Sequence, residues 1–252
     1  MSLEVERRLA TAVATAAGLM LAPMSALAAG GAFAVDDSEI GKPGECKVES
    51  WASFAGNHDL IAATSPACVV KLGIPFELGG QLQRARSDSD WSTSGTLKAK
   101  TNLIPADNHP FGLAISGGSS WNLINGANTG GFVNVPVTFQ VRDDFKININ
   151  GGWMYDGIAK INYATWGGGF EWSIVKLVNL PLTVIGEIYG QQGKLQEVDA
   201  DSAPSNNSVR EPRSQLGLRY TPKDNIDFDL IWGRNITGEN SNWVTFGVNL
   251  RF

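Results

Sequence analysis

The last ten residues, Trp243 to Phe252, place the tightest constraint on what this chain folds into. Val244, Phe246, Val248, Leu250 and Phe252 are apolar, and Trp243, Thr245, Gly247, Asn249 and Arg251 between them are mostly small or polar. A period of two is that of a β-strand with one apolar face and one polar face. A soluble strand buries such an apolar face in a core. A membrane strand turns it to lipid and keeps its polar face inside a barrel. The rest of the chain decides between the two.

An alternating strand that ends on Phe252 resembles the C-terminal signal of bacterial outer-membrane β-barrels, with Val248, Leu250 and Phe252 in its apolar positions. The resemblance covers ten residues. It implies an all-β fold, a closed antiparallel transmembrane β-barrel, and residence in the bacterial outer membrane. Its implied partners are outer-membrane lipid, lipopolysaccharide and the barrel-assembly machinery that reads the signal.

The composition agrees. A chain of 252 residues suits one barrel domain. No run of about 18 apolar residues follows residue 30, so a membrane reading must be a barrel reading. Residues 1–34 read as a secretory signal peptide: Arg7 and Arg8, an apolar run from Leu9 to Leu21, then Pro23. Cleavage is expected after Ala28 (Ala26-Leu27-Ala28) or after Ala34 (Ala32-Phe33-Ala34); the alternative is an anchor helix. The net charge is −5 with no block of like charge, which argues against a nucleic-acid partner.

Cys46 and Cys68 are expected to pair in an oxidising compartment. Closing that loop contributes roughly 3 kcal/mol by chain entropy. Free thiols or metal ligands are the alternatives, but with only His58 and His109 in the chain neither a metal site nor a cofactor is expected.

From Val69 onward, alternation predicts about ten strands (range 8–12): 69–86, 93–104, 111–121, 132–142, 145–154, 163–175, 182–191, 213–221, 226–236 and the closing strand. Residues 69–252 are thus the barrel. Residues 35–68 read as irregular: a plug, a periplasmic cap or an extra strand. Short connections near 143, 176 and 222 alternate with long ones at 122–131 and 192–212, as inner turns and outer loops do. Trp121, Trp153, Trp166 and Trp232 fall near the outer strand ends, and Phe145, Trp172, Tyr220, Phe228 and Phe252 near the inner ends, forming two aromatic girdles.

Charges collect on the polar face. The candidate lumen or gate residues are Lys98, Lys100, Lys146, Glu171, Glu187, Arg219, Asp227 and Arg251. Turn centres near 223 and 239 predict Arg219 opposite Asp227 and Asp227 opposite Arg251. This cluster is either a stiffening ion-pair network or a selectivity ring. A turn centre near Asn179 predicts Glu171 opposite Glu187, which needs a cation, a shared proton or Lys146 beside it.

No catalytic or nucleotide-binding motif occurs, and no enzyme activity is expected. His109 falls in an inner turn and His58 before the barrel, away from the outer rim where barrel hydrolases work. The expected function is a narrow channel or a structural barrel, because ten strands leave a lumen that side chains largely fill. The alternatives are an interaction protein acting through its outer loops, or a soluble periplasmic β-protein that binds a ligand.

Overall fold

The computed structural model describes residues 32–87, 90–106, 109–192, 209–236 and 242–252. The expected signal peptide therefore lies almost wholly outside the described residues. Among those described, twelve strands form the molecule. They are β1 (Cys46–Ala55), β2 (Leu60–Leu72), β3 (Ile74–Ser87), β4 (Asp90–Ile104), β5 (Gly112–Asn122), β6 (Asn128–Arg142), β7 (Phe145–Asp156), β8 (Ile161–Ser173), β9 (Leu182–Gln192), β10 (Val209–Lys223), β11 (Ile226–Asn235) and β12 (Asn242–Arg251). One short helix, α1 (Val175–Val178), sits between β8 and β9.

Each strand pairs antiparallel with the next, and β1 pairs with β12, so the sheet has no edge. Closure pairs every strand on both sides, which is what a sheet in hydrocarbon requires. The terminal residue completes the seam. The Cys46 amide donates to the Phe252 carbonyl at 2.8 Å, and the Phe252 amide donates to the Cys46 carbonyl at 2.9 Å.

The alternation of the sequence sorts side chains inside out. Leu97 is 66% exposed, Leu82 49% and Phe246 56%, while Thr138 is 0%, Asn134 1% and Asp227 2% exposed. A soluble β-protein does the reverse. The outward belt is apolar, and Val248, Leu250 and Phe252 belong to it. Turns at 143–144 and 224–225 are tight, whereas residues 193–208 link β9 to β10. By the loop-length rule for such barrels, the termini of the barrel and these tight turns mark the inner, periplasmic end.

Two corrections follow. The barrel has twelve strands rather than ten, because residues 46–72 form β1 and β2 and do not stand outside it. The irregular segment is therefore only residues 32–45. The cysteines do pair, but Cys46 and Cys68 are cross-strand neighbours in the β1–β2 ladder, so the disulfide staples a barrel hairpin at its inner end. Replacing both by serine is expected to lower stability by about 2–4 kcal/mol. Urea unfolding followed by tryptophan fluorescence checks this; an unchanged midpoint counts against a structural role for the bond.

Candidate functional site

Twelve strands enclose a wider lumen than ten, and side chains alone do not fill it. Residues 32–39 run through it. Their backbone is held by wall side chains, because an extended segment with no strand partner must satisfy its amides elsewhere. Glu187 on β9 accepts the Ala34 amide at 3.0 Å and the Val35 amide at 3.1 Å, one on each oxygen, and Gln215 Nε2 donates to it at 2.6 Å. Asn150 on β7 accepts the Asp36 amide at 2.8 Å and donates to the Asp36 carbonyl at 2.7 Å. The Ser38 amide donates to Thr138 Oγ1 on β6, and Asn102 Nδ2 donates to the Ser38 carbonyl.

Charge adds to this grip. Lys100 Nζ lies 2.9 Å from Asp36 and 3.2 Å from Asp37, with its side chain 8% exposed. Lys146 Nζ lies 2.7 Å from Glu39. Two of the expected lumen cations thus bind the chain's own N-terminal segment, for which the sequence offers a plug, a periplasmic cap or an extra strand.

The wall makes room where the segment passes. A Cβ on Gly217 would stand 3.0 Å from the Phe33 ring and 3.0 Å from Ile231. One on Gly167 would stand 2.9 Å from Val35, and one on Gly112 would overlap Ser38. Phe33 packs with the buried Ile185 and Ile231, which are apolar side chains on the inward face of the barrel. The Arg219 guanidinium sits 5.2 Å from the centre of the Phe33 ring.

The predicted clusters form with shifted partners. Arg219 faces Asp229, not Asp227, and binds it with two nitrogens at 2.8 and 3.2 Å. The turn centre lies at 224, not 223, and one residue of turn moves the partner by two. Asp227 faces Asn249, not Arg251, yet Arg251 reaches it diagonally and Thr221 Oγ1 donates to it at 2.8 Å.

Glu171 faces Ile185, and Glu187 faces Gly169, so the two carboxylates are offset and the expected like-charge pair does not exist. The α1 turn between β8 and β9 shifts the register. Glu171 instead faces Lys146 and accepts from Asn148 Nδ2 at 2.8 Å.

Lys98 is the exception among the cations. It is half-buried on the inward face of β4, and it makes no hydrogen bond or ion pair with any described residue. Near it on the β1–β5 wall, Glu49 Oε2, Ser65 Oγ and Ser116 Oγ are buried without a hydrogen-bond partner among the described residues. On the opposite wall Glu187, Asn150 and Thr138 are committed to the segment. His58 occupies the outer turn between β1 and β2, correcting its expected place before the barrel, and its carbonyl accepts from Arg86.

A closed sheet, an outward apolar belt and a polar lumen define an integral β-barrel of the outer-membrane class. Solved structures agree on the fold. The KdgM porin matches with a TM-score of 0.59 at 13% identity over 82% of this chain and 99% of its own. The COG4313 outer membrane channel from Pseudomonas putida F1 matches with 0.59 at 11% identity over 86% and 98%, and the NanC porin with 0.56 at 10% over 81% and 98%. The chain belongs to the family described as uncharacterised conserved protein UCP029691, whose profile matches residues 17–252. No curated protein sequence matches it.

Proposed function

We propose that this protein is a narrow outer-membrane channel whose lumen is closed down by its own residues 32–39. The observation that carries this reading is the continuous grip of the wall on that segment, from Glu187 through Asn150 and Lys100 to Thr138. The remaining polar path follows the β1–β5 wall past Lys98, which makes no hydrogen bond or salt bridge with the described residues. Planar-bilayer conductance of the folded chain with and without the segment is the test. Replacing Lys98 by Glu tests the path itself, by moving selectivity toward cations. The neighbours of similar fold carry the words porin and channel in their descriptions, which is consistent with this reading. Val248, Leu250 and Phe252 serve as the assembly signal in the same proposal.

The reading also selects between the two cleavage sites. Cleavage after Ala34 removes Phe33 from its contacts with Ile185 and Ile231. Cleavage after Ala28 keeps it. The mature protein is therefore expected to begin at Ala29, as N-terminal sequencing of the membrane-extracted protein will show; a start at Val35 contradicts this.

A further inference from the structure

The lipid-facing wall over β1–β4 departs from the rest of the belt. Its outward side chains are small: Ser50 and Ala52 on β1, Ala62 and Thr64 on β2. Between Leu82 and Phe246 they leave a groove of about 410 Å³, with Arg84 among its lining residues. A second groove of about 500 Å³ adjoins it on the other side of Leu82, over Gly80 and Gly95, and is bounded by Trp121. Elsewhere on the belt, large residues such as Phe139, Ile149 and Leu218 stand outward.

Two cations stand further out on β3, and the inner of them, Arg84, lines the first groove. Arg84 and Arg86 lie two residues apart on β3 and share its outward face, with guanidinium carbons 4.8 and 5.7 Å from the centre of the Trp91 ring. Arg84 donates to Thr93 Oγ1 at 3.0 Å, and Arg86 donates to the His58 carbonyl at 2.7 Å. Among the described residues neither arginine meets a carboxylate. Their depth follows from the ladder. Gly95 pairs with Trp121 of the outer girdle. Thr93, opposite Arg84, lies one pleat repeat further out, and Trp91, opposite Arg86, lies two. The arginines therefore sit beyond the girdle, at the level of headgroups.

Like charges held side by side on a lipid-facing wall repel, and an anion between them removes the cost. We propose that this face is a binding site for a phosphorylated, multiply acylated glycolipid of the outer leaflet. One phosphate sits between Arg84 and Arg86, and two acyl chains of the same molecule lie in the two grooves on either side of Leu82. Charge complementarity selects the headgroup, and the paired grooves select a lipid over a soluble anion. The site is on the lipid face, so it stands or falls independently of any conduction through the lumen.

The test is native mass spectrometry of the folded chain in detergent, titrated with bis-phosphorylated lipid A. Folding of each variant is checked first by heat-modifiable gel migration. The R84Q/R86Q variant is expected to bind lipid A at least about tenfold more weakly, since each arginine contributes a charge-assisted hydrogen bond. Dephosphorylated lipid A is expected to bind the unaltered protein as weakly as that variant binds the phosphorylated form. A62W keeps both arginines but fills the first groove, and it is expected to weaken lipid A binding as well; it serves as the test if the double variant does not fold. Equal binding by variant and unaltered protein, or equal binding of the phosphorylated and dephosphorylated lipids, overturns the proposal. Displacement of lipid A by millimolar inorganic phosphate also overturns it, because the occupant is then a free anion.

Discussion

A refolded chain that begins at Gly44 conducts in discrete steps several-fold larger than those of the chain that retains residues 32–43. The expectation comes from what those residues occupy. They cross the lumen against β4 to β12, and their removal frees Glu187, Asn150, Thr138, Lys100 and Lys146 at once. None of these side chains is large enough to refill the space in a twelve-stranded barrel. The truncated chain keeps the Val69 amide bond to the Glu45 carbonyl, the Cys46–Phe252 bonds and the whole β1 strand, so the barrel seam is untouched.

A second variant separates occupancy from truncation. G217L places a side chain where Phe33 now sits and is expected to push the segment aside, raising conductance in the full-length chain. Equal conductance of all three folded proteins rejects the segment as the closing element. Silence in all three rejects the channel and leaves the structural barrel.

How the sequence carried this architecture differs between its parts. From β3 to β12 the outward face carries mostly Leu, Ile, Val, Phe and Trp, apart from Arg84 and Arg86, and the inward face mostly Asn, Thr, Gln and charge, apart from buried apolar residues such as Ile185 and Ile231, so period two is plain. β1 and β2 lack that contrast. Their outward positions hold Ser50, Ala52, Ala62 and Thr64, while the inward positions hold Trp51, Ala63, Ala67 and Val69, which are buried and apolar. Pro66 within β2 also reads as a breaker, and the β2–β3 pairing skips Ser65 and Pro66. The feature that hid these strands is the same one that opens the groove beneath Arg84.

The lumen was legible by face but not by partner. Parity survives a one-residue error in a turn centre, so Lys98, Lys100, Lys146, Glu171, Glu187, Arg219, Asp227 and Arg251 all point inward as expected. Partners move by two, so Asp229 rather than Asp227 meets Arg219. The lumen segment had no signature of its own. Its backbone is bound through amides that every residue carries, and only Asp36, Asp37 and Glu39, matched against Lys100 and Lys146, hinted at it.

Asp229 is the position where a single substitution is expected to cost most. Its side chain is 0% exposed. It accepts two bonds from Arg219 and one, at 2.9 Å, from Asn249 Nδ2. D229A leaves a mostly buried guanidinium with the Phe33 ring and no carboxylate in direct contact, only the more distant charges of Asp227 and Glu171, and it leaves Asn249 with an unmatched donor. Breaking a buried pair from one side costs about 3–5 kcal/mol. The lower end is expected here, because the Arg219 side chain remains 25% exposed within a polar lumen. Removing both charges is different. R219M/D229L replaces the pair by apolar atoms against Phe33 and Ile231 and is expected to recover most of the loss. Unfolding by urea in detergent, read by heat-modifiable migration, distinguishes the two. If D229A unfolds at the same urea concentration as the unaltered protein, the pair is a solvated surface contact and the lumen at this level is water-filled. If the double variant is as weak as D229A, the charges themselves, rather than their pairing, support the wall.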